Sequence, residues 1–185
     1  YEEYKEFIKE AQTDKDGNLI YLYASNTELQ YAHIQAAQAR GYNVLLMDGQ
    51  LDAPMVSMLE QKFEKSRIVR VDGDVITRLI QKEDATTETL TPAQAEKLST
   101  AFEVTLPKMD KTELRVQTEN LGAEEAPIVV TQSEYMRRMK EMAQFQGGMS
   151  FYGEMPDMYN VVLNADHALV RGVLNDLDAK TKAEL

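Results

Sequence analysis

The sequence contains no cysteine and no tryptophan. The absence of cysteine excludes disulfides and thiolate metal sites, and it is compatible with a reducing cytoplasm. No apolar run approaches the ~20 residues that a membrane-spanning helix needs, and no secretory signal pattern is visible. Basic residues are also few, with 20 Lys and Arg against 31 Asp and Glu, so the net charge is −11. Because this acidity is spread evenly and leaves no basic patch, nucleic acids and anionic membrane surfaces are not expected partners.

Histidine is scarce as well, and only His33 and His167 are present. Neither has a second His or a carboxylate at the spacing that metal ligands require, so structural roles are predicted for both. A soft metal ion on Met136, Met139 and Met142 is a remote alternative, because no Cys or nearby His would complete the site. The sequence also has no P-loop and no nucleophile elbow. The residues alone therefore predict no catalytic residue, no bound cofactor, no metal site and no enzymatic activity.

The first half of the chain alternates apolar strands with helical patterns. Strands are predicted over residues 19–24, 43–47 and 67–71, with helices between them. This alternation indicates a small parallel three-stranded α/β fold. The polar segment 82–91 has the composition of a linker. We therefore predict two domains, residues 1–84 and 85–185, and because the sequence begins with Tyr1 we expect it to be a piece of a longer protein.

The second half predicts a mixed α+β domain. Thr91, Pro92 and Gln94 form the start signal of a helix, with a capping box and proline at the first helical position. Strands are predicted over residues 113–118, 128–130 and 159–163, and a last helix follows Asp166. The fold class predicted for the whole chain is therefore α/β followed by α+β.

A methionine-rich segment follows the strand at residues 128–130. Six of the ten Met lie between Met136 and Met158. Thr131 and Glu134 match a capping box at the start of a helix, and Gly147 and Gly148 are placed to end it. Along this helix an apolar stripe forms at helical spacing, and it consists of Tyr135, Met136, Met139, Met142 and Ala143, with Phe145 at its margin. Arg137, Lys140, Glu141 and Gln144 occupy the other side.

Two interpretations of this helix remain open from the residues alone. In the first, the Met stripe packs into the interior of the domain, as the apolar side of most amphipathic helices does. In the second, the stripe is an exposed and adaptable surface, since flexible thioether side chains suit binding to partners of varied shape. The helix contains no Leu, Ile or Val, although the rest of the chain uses them freely. That contrast favours the second interpretation.

A different class of function is suggested by the junction at Ser25. Ser25, Asn26 and Thr27 follow an apolar strand and open a predicted helix, with Glu28 completing a capping box. The start of a helix offers N–H groups to a phosphate. Because the glycines of nucleotide-binding motifs are missing, plain helix capping is the favoured interpretation. A small-molecule or nucleotide-binding domain and a pure assembly module remain the alternative functions.

Four segments together resemble the 90-kDa heat-shock chaperone family, and in particular its bacterial members. They are LIYLYASNTELQYAHIQAAQARGYNVLLM at 19–47, QLDAPMVSML at 50–59, APIVV at 126–130 and LNADHALVR at 163–171. The matches run in the family's order over nearly the whole chain. Ala53 and Pro54 depart from the family's usual acidic and aromatic residues, in a segment that is associated with client contact in the bacterial members.

The resemblance implies how the chain is placed within a longer chaperone. Residues 1–84 would be the α/β subdomain that closes the middle domain, and residues 85–185 the C-terminal domain without its final dimerisation helices. The ATP-binding domain and the catalytic arginine would lie upstream. The full-length protein would then be a cytoplasmic, ATP- and Mg²⁺-dependent homodimer of the stress response, whereas this chain would have no ATPase activity and would dimerise weakly or not at all.

The resemblance also implies a site for client proteins. In the family, an amphipathic helix after the strand matching 126–130 contacts non-native proteins, and here it corresponds to residues 133–146. Its position agrees with the Met stripe. The expected client-binding residues are Tyr135, Met136, Met139, Met142, Phe145, Met149 and Phe151.

Overall fold

The chain divides into two compact units, Tyr1–Asp84 and Ala85–Leu185. The computed structural model describes residues 2–49, 51–82, 90–145 and 156–183, and of residues 53, 54, 57, 141–145 and 180–183 it describes the backbone only. Each unit has its own sheet and its own apolar core. The assignment of the units to the middle and C-terminal domains of the chaperone family stays a prediction.

The first unit is an α/β layer structure. Its elements in chain order are α1 (Glu2–Gln12), β1 (Leu19–Ala24), α2 (Tyr31–Ala39), β2 (Val44–Leu46), α3 (Asp52–Lys62), β3 (Ser66–Arg70) and α4 (Ile76–Leu79). The strands form a three-stranded sheet in the order β2-β1-β3, and both pairings are parallel. The predicted parallel α/β architecture is thereby confirmed.

The central strand β1 is buried along its entire length. Ile20, Leu22 and Ala24 belong to one core cluster, which also holds residues of α2 and α4. Leu19, Tyr21 and Tyr23 belong to a second cluster with residues of α1 and α3. Since alternate side chains of a strand point to opposite faces, helices cover both faces of this sheet, and the uninterrupted apolar run of β1 follows from that.

The second unit is a mixed α+β structure. Its elements are α5 (Pro92–Thr105), β4 (Thr112–Glu119), β5 (Ile128–Gln132), α6 (Glu134–Phe145), β6 (Asp157–Asn164) and α7 (Ala168–Ala183). The sheet order is β4-β6-β5, in which β4 is parallel and β5 antiparallel to β6. This arrangement confirms the α+β prediction for the second half.

The core of the second unit lies between one face of the sheet and two helices. Val161 and Leu163 of β6 pack with Leu98 of α5 and with Val170 and Leu174 of α7. The capping box predicted at the start of α5 is present, because the Thr91 hydroxyl accepts from the Gln94 N–H while the Gln94 side chain accepts from the Thr91 N–H. A side-chain cap of this kind contributes about 1 kcal/mol to helix stability.

Candidate functional site

Helix α6 begins immediately after β5, and its start differs from the sequence prediction. Thr131 does not cap the helix: it lies inside β5, is 1% exposed, and its Oγ1 has no hydrogen-bond partner among the described residues. The strand continues through Gln132, so α6 starts at Glu134 and its first turn closes with the Arg137 N–H donating to the Ser133 carbonyl at 3.0 Å. The capping box predicted from Thr131 and Glu134 is therefore wrong, because strand pairing with Asn160 holds Thr131 in extended backbone.

The polar side of α6 faces the body of the second unit. Arg137 is 7% exposed and its guanidinium donates to both carboxylate oxygens of Glu134, at 2.7 and 3.2 Å. Arg138 also donates to Glu134, at 2.7 Å. One turn further, Lys140 Nζ donates to Asp157 Oδ1 at 2.7 Å, and Asp157 is the first residue of β6. The side of the helix that carries Arg137 and Lys140 is therefore the side turned toward β6.

Among the residues of α6 whose side chains the structure describes, Tyr135 is the most exposed and Arg137 the most buried. Tyr135 is 70% exposed, and Met136 and Met139 are partly exposed. Met142 and Phe145 belong to the helix, but their side chains lie outside the described residues, as do Met149 and Phe151 altogether. The structure thus brings Tyr135, Met136 and Met139 onto one helix, with Tyr135 and Met139 four residues apart on the same side. Periodicity predicted that the two sides differ in polarity, but it gave no signal that the arginine side is the buried one.

The end of β6 is joined to the 120–127 loop by a buried amide. Asn164 is 0% exposed; its Oδ1 accepts from the Leu121 N–H at 3.2 Å and the Asp166 N–H at 3.1 Å, and its Nδ2 donates to the Gly122 carbonyl at 2.8 Å. Nδ2 also lies 3.3 Å from the carbonyl of Glu125. The residues of the LNADHALVR segment therefore act here as structural links between β6, this loop and α7.

Asp166 and His167 complete that link at the start of α7. The Asp166 carboxylate accepts from Asn120 Nδ2 at 2.8 Å, from the Gly122 N–H at 3.1 Å and from Arg171 Nη2 at 3.2 Å. His167 Nδ1 accepts from the Leu169 N–H, so the structural role predicted for this histidine agrees with its helix-capping contact. Partial burial by itself raises the pKa of Asp166, but these hydrogen bonds and the Arg171 charge outweigh it and hold the pKa below its usual value.

This depressed pKa predicts a pH dependence of the second unit. A carboxylate whose pKa is lower in the folded state stabilises the fold above its unfolded pKa of about 3.9; that stabilisation is lost as the pH falls through the folded value. Asp166→Asn should therefore flatten the decline of the free energy of unfolding below about pH 5, as measured by denaturant unfolding at several pH values. Asp110→Asn, at an exposed position, is the matched control and should leave the decline unchanged. An unchanged slope in Asp166→Asn would contradict the prediction.

The Ser25 junction is already occupied by the protein's own side chains. Gln30 Oε1 accepts from the N–H groups of Ser25 and Asn26, at 2.8 and 2.9 Å, and Asn26 Oδ1 accepts from those of Glu28 and Leu29. Helix α2 itself starts only at Tyr31, so the predicted Ser25 and Glu28 capping box is wrong. The amides that would bind a phosphate are engaged, and this disfavours the nucleotide-binding alternative.

Gln30 is held in place from the neighbouring strand. It is 4% exposed, and its Nε2 donates to Asp72 Oδ1 at 2.8 Å, while Arg70 at the end of β3 makes a bidentate contact with the same carboxylate. The network lies at the carboxyl-terminal edge of the parallel sheet, where open α/β sheets bind their ligands. Among the described residues, no group of three or more His, Asp or Glu side chains is arranged to hold a metal ion.

A second exposed apolar area lies around α3 in the first unit. Leu51 precedes the helix and is 78% exposed, and Met55 and Met58 on the helix are 38% and 48% exposed. The side chains of Ala53 and Pro54, which depart from the chaperone pattern, lie outside the described residues. None of the described helices is both long enough and apolar enough to cross a bilayer.

Comparison with known proteins finds relatives that match the whole length of the chain. A scan against protein-family models finds no match. The chain is 62% identical over all 185 residues to the chaperone protein HtpG of Bacteroides thetaiotaomicron, and 60% identical over the same length to that of Bacteroides fragilis. This chain is homologous to a segment of HtpG chaperones. The HtpG of Porphyromonas gingivalis is 50% identical over 175 residues, which is 95% of the chain.

The HtpG relatives are much longer than this chain. The chain spans 27% of the length of the two Bacteroides proteins and 26% of the Porphyromonas protein. The similarity confirms the resemblance to the 90-kDa heat-shock chaperones in their bacterial, HtpG form, and the matched length is consistent with a fragment. The name chaperone belongs to those whole proteins.

Proposed function

We propose that the chain is part of an HtpG-type molecular chaperone and binds non-native client proteins through the exposed side of α6. The observation that carries the proposal is the orientation of this helix, which buries Arg137 to 7% exposure and leaves Tyr135 70% exposed. An amphipathic helix in a stable monomer usually buries its apolar side. The reverse orientation keeps a Met and Tyr surface available to a partner, and homology to HtpG chaperones makes a non-native protein the best supported one.

The chemistry of this surface suits many different clients. Met136 and Met139 have flexible side chains that can repack against irregular apolar segments, and Tyr135 adds a large contact area with a polar tip. Full burial of one such side chain contributes about 1.5–3 kcal/mol. The burial free energy of two such side chains corresponds to a dissociation constant of roughly 1 mM. Affinity this weak permits repeated capture and release.

The remaining parts of the proposal concern the longer protein. ATP and Mg²⁺ would bind and ATP would be hydrolysed outside this segment, so the chain itself would act as a binding module and not as an enzyme. The longer protein would work as a cytoplasmic homodimer. We propose weak or no self-association for the chain alone, and sedimentation over a range of concentrations measures this directly. A tight oligomer would instead favour an assembly module whose Met surface docks on a fixed partner.

The double substitution Tyr135→Glu with Met139→Glu tests client binding. We expect the affinity of the chain for an unfolded reporter protein to fall about tenfold, because the charges require water where the client would exclude it. The free energy of unfolding should change by less than about 0.5 kcal/mol at Tyr135, which is 70% exposed, and by less than about 1 kcal/mol at the partly exposed Met139. Suppression of reporter aggregation and the melting temperature are the two measurements.

Val104→Glu is the matched control for this experiment. Val104 lies on α5 of the same unit and is 82% exposed, so Val104→Glu adds one carboxylate, half of the charge that the double variant adds, at an apolar surface position on another helix. It should leave reporter binding unchanged. Equal loss of binding in Val104→Glu would show that added negative charge, and not the α6 surface, controls binding. A large fall in melting temperature for the double variant would show that the stripe belongs to the core.

A further inference from the structure

We propose that the outer edge of β5, the edge away from β6, binds an extended apolar segment of a non-native protein by strand pairing. The inference deepens the proposed function and rests on it for the identity of the partner. It names the conformation in which a client segment binds beside α6, since β5 ends at Gln132 and α6 begins at Glu134. The features that suit this edge to a strand belong to β5 itself and do not depend on α6.

The backbone hydrogen-bonding groups of β5 alternate between β6 and the outer edge. The Asn164 N–H donates to the Pro127 carbonyl at 2.9 Å, so these two residues form a hydrogen-bonded position of the antiparallel pair. Such positions alternate with non-hydrogen-bonded ones along the two strands. Val129 is therefore bonded to β6, whereas the N–H and C=O groups of Ile128 and Val130 point to the outer edge. In the part of the chain that the structure describes, no strand pairs with that edge.

The side chains of the same two residues are apolar and accessible. In the register of the strands, Val130 lies opposite Val161, and Ile128 lies opposite Leu163. Residues opposite one another share a face of the sheet, and this face carries the core against α5 and α7. Ile128 and Val130 are nevertheless 41% and 46% exposed, so the core does not extend over β5. A strand at this edge would gain apolar contacts as well as backbone hydrogen bonds.

The opposite edge of the sheet is protected against strand addition. There β4 exposes the charged side chains of Glu113 and Arg115, and charged residues at a sheet edge discourage pairing with further strands. The sequence of β5 is IVVTQ, which contains no charged residue, and its β-branched residues favour the pleated backbone of a strand. The unit thus protects one edge and leaves the other suited to the addition of a peptide strand.

Charge favours a client segment over a second copy of the chain at this edge. Residues 85–185 contain 16 Asp and Glu against 10 Lys and Arg, so two copies of the unit repel one another. Glu124, in the loop that leads into β5, is exposed and adds a negative charge before the strand begins. A segment with an apolar centre and basic residues at its ends fits both the side chains of the edge and the charge around it.

A synthetic peptide tests the pairing directly on the full 185-residue chain. The probe is Lys-Thr-Val-Thr-Val-Thr-Lys with blocked ends, which alternates apolar and polar residues between two lysines. Its matched control carries N-methyl groups on two consecutive central residues, so that neither edge of the peptide can pair while its side chains and charge are kept. The control should bind about tenfold more weakly, because backbone hydrogen bonds are lost. Titration followed by nuclear magnetic resonance measures both affinities.

Hydrogen exchange shows where the peptide binds. Without peptide, the amides of Ile128 and Val130 should exchange faster than the amide of Val129, which is bonded to β6. With peptide at about ten times its dissociation constant, exchange at Ile128 and Val130 should slow about tenfold, because roughly one tenth of the sites remain free. Unchanged exchange at these two amides would overturn the proposal. Protection that appears without peptide and grows with the concentration of the chain would place a second copy there and overturn it too.

Val130→Pro removes an outward N–H of β5 and leaves the hydrogen bonds to β6 in place. It should weaken binding of the unmodified peptide about tenfold, whereas Val130→Thr, which keeps the N–H, should weaken it less than about threefold. Retained protection of the β6 amides shows that the unit is still folded. If Val130→Pro unfolds the unit, the two peptides on the unaltered chain decide, and equal affinities for them overturn the proposal.

The double variant of α6 keeps this inference distinct from the proposed function. Suppose that Tyr135→Glu with Met139→Glu leaves both the peptide preference and reporter binding unchanged. Strand pairing at β5 is then supported, and client binding through α6 is overturned. Loss of reporter binding in the double variant, with equal affinities of the unaltered chain for the two peptides, would overturn strand pairing and support the proposed function.

Discussion

Asn164→Ala is expected to destabilise the second unit by roughly 3–5 kcal/mol, because each buried polar group left without a partner costs about 1–3 kcal/mol. The Asn164 side-chain amide accepts hydrogen bonds from the N–H groups of Leu121 and Asp166 and donates one to the Gly122 carbonyl. The side chain has no solvent exposure. Some carbonyls of the loop can turn to water, and this keeps the total below a simple sum. Denaturant unfolding followed by circular dichroism measures the effect.

Asn160→Ala is the matched control, since Asn160 lies on the same strand with a partly exposed side chain. It should cost less than about 1 kcal/mol, the centre of the distribution for single substitutions. Hydrogen exchange should show the Asn164 effect first in the 120–127 loop and at the start of α7, since both are joined through this amide. Equal destabilisation by the two substitutions would contradict the central role of Asn164.

The elements that the sequence predicted best are those whose signals are local. The run of six apolar residues in β1 predicted a strand, and in the structure helices cover both faces of that strand. Thr91, Pro92 and Gln94 predicted a capped helix start, and each has its expected contact or position. In each case neighbouring residues contain all the information needed.

The two incorrect caps show where local signals fail. Thr131 and Ser25 both have the right residue type and spacing for a helix start. Thr131 is held in β5 by pairing with β6, and the Ser25 N–H is engaged by Gln30. Strand β6 and the Gln30 side chain both lie outside the four residues of each capping pattern. Contacts beyond that window therefore prevent both predicted caps from forming.

The candidate site on α6 was predictable only in part, because some of its features depend on local spacing and others on tertiary contacts. Helical spacing identified the stripe of Tyr135, Met136 and Met139 and placed Arg137 on the other side of α6. Spacing alone does not say which side is buried: Arg137 is 7% exposed, and Lys140 contacts Asp157 of β6, a residue 17 positions further along the chain. Likewise, Asn164 contacts residues about 40 positions earlier in the chain, and no local pattern marks such a link.

The site on α6 depends on a unit whose stability comes from elsewhere in its fold. The helix contacts β6 through polar groups, and β6 is held by the apolar cluster of Leu98, Val161, Leu163, Val170 and Leu174 on α5, β6 and α7. This separation lets the exposed stripe change without loss of the core. It explains why Tyr135→Glu with Met139→Glu should alter binding far more than stability, whereas a change at Asn164 should do the reverse.

The first unit offers the second large effect, since Leu22→Ala should destabilise it by roughly 2–5 kcal/mol. Leu22 is 0% exposed in the central strand and packs in the cluster with Ile20 and Ala24, so its removal leaves a cavity that helices on that face cannot fill without moving. Denaturant unfolding combined with hydrogen exchange of β1 and β3 measures the loss. Leu46→Ala is the control, because Leu46 lies on the adjacent strand β2 but is 56% exposed, and it should cost less than about 1 kcal/mol. A cost at Leu22 as small as that at Leu46 would show that the face of the sheet bearing Ile20 and Ala24 is not the close-packed core that the structure describes.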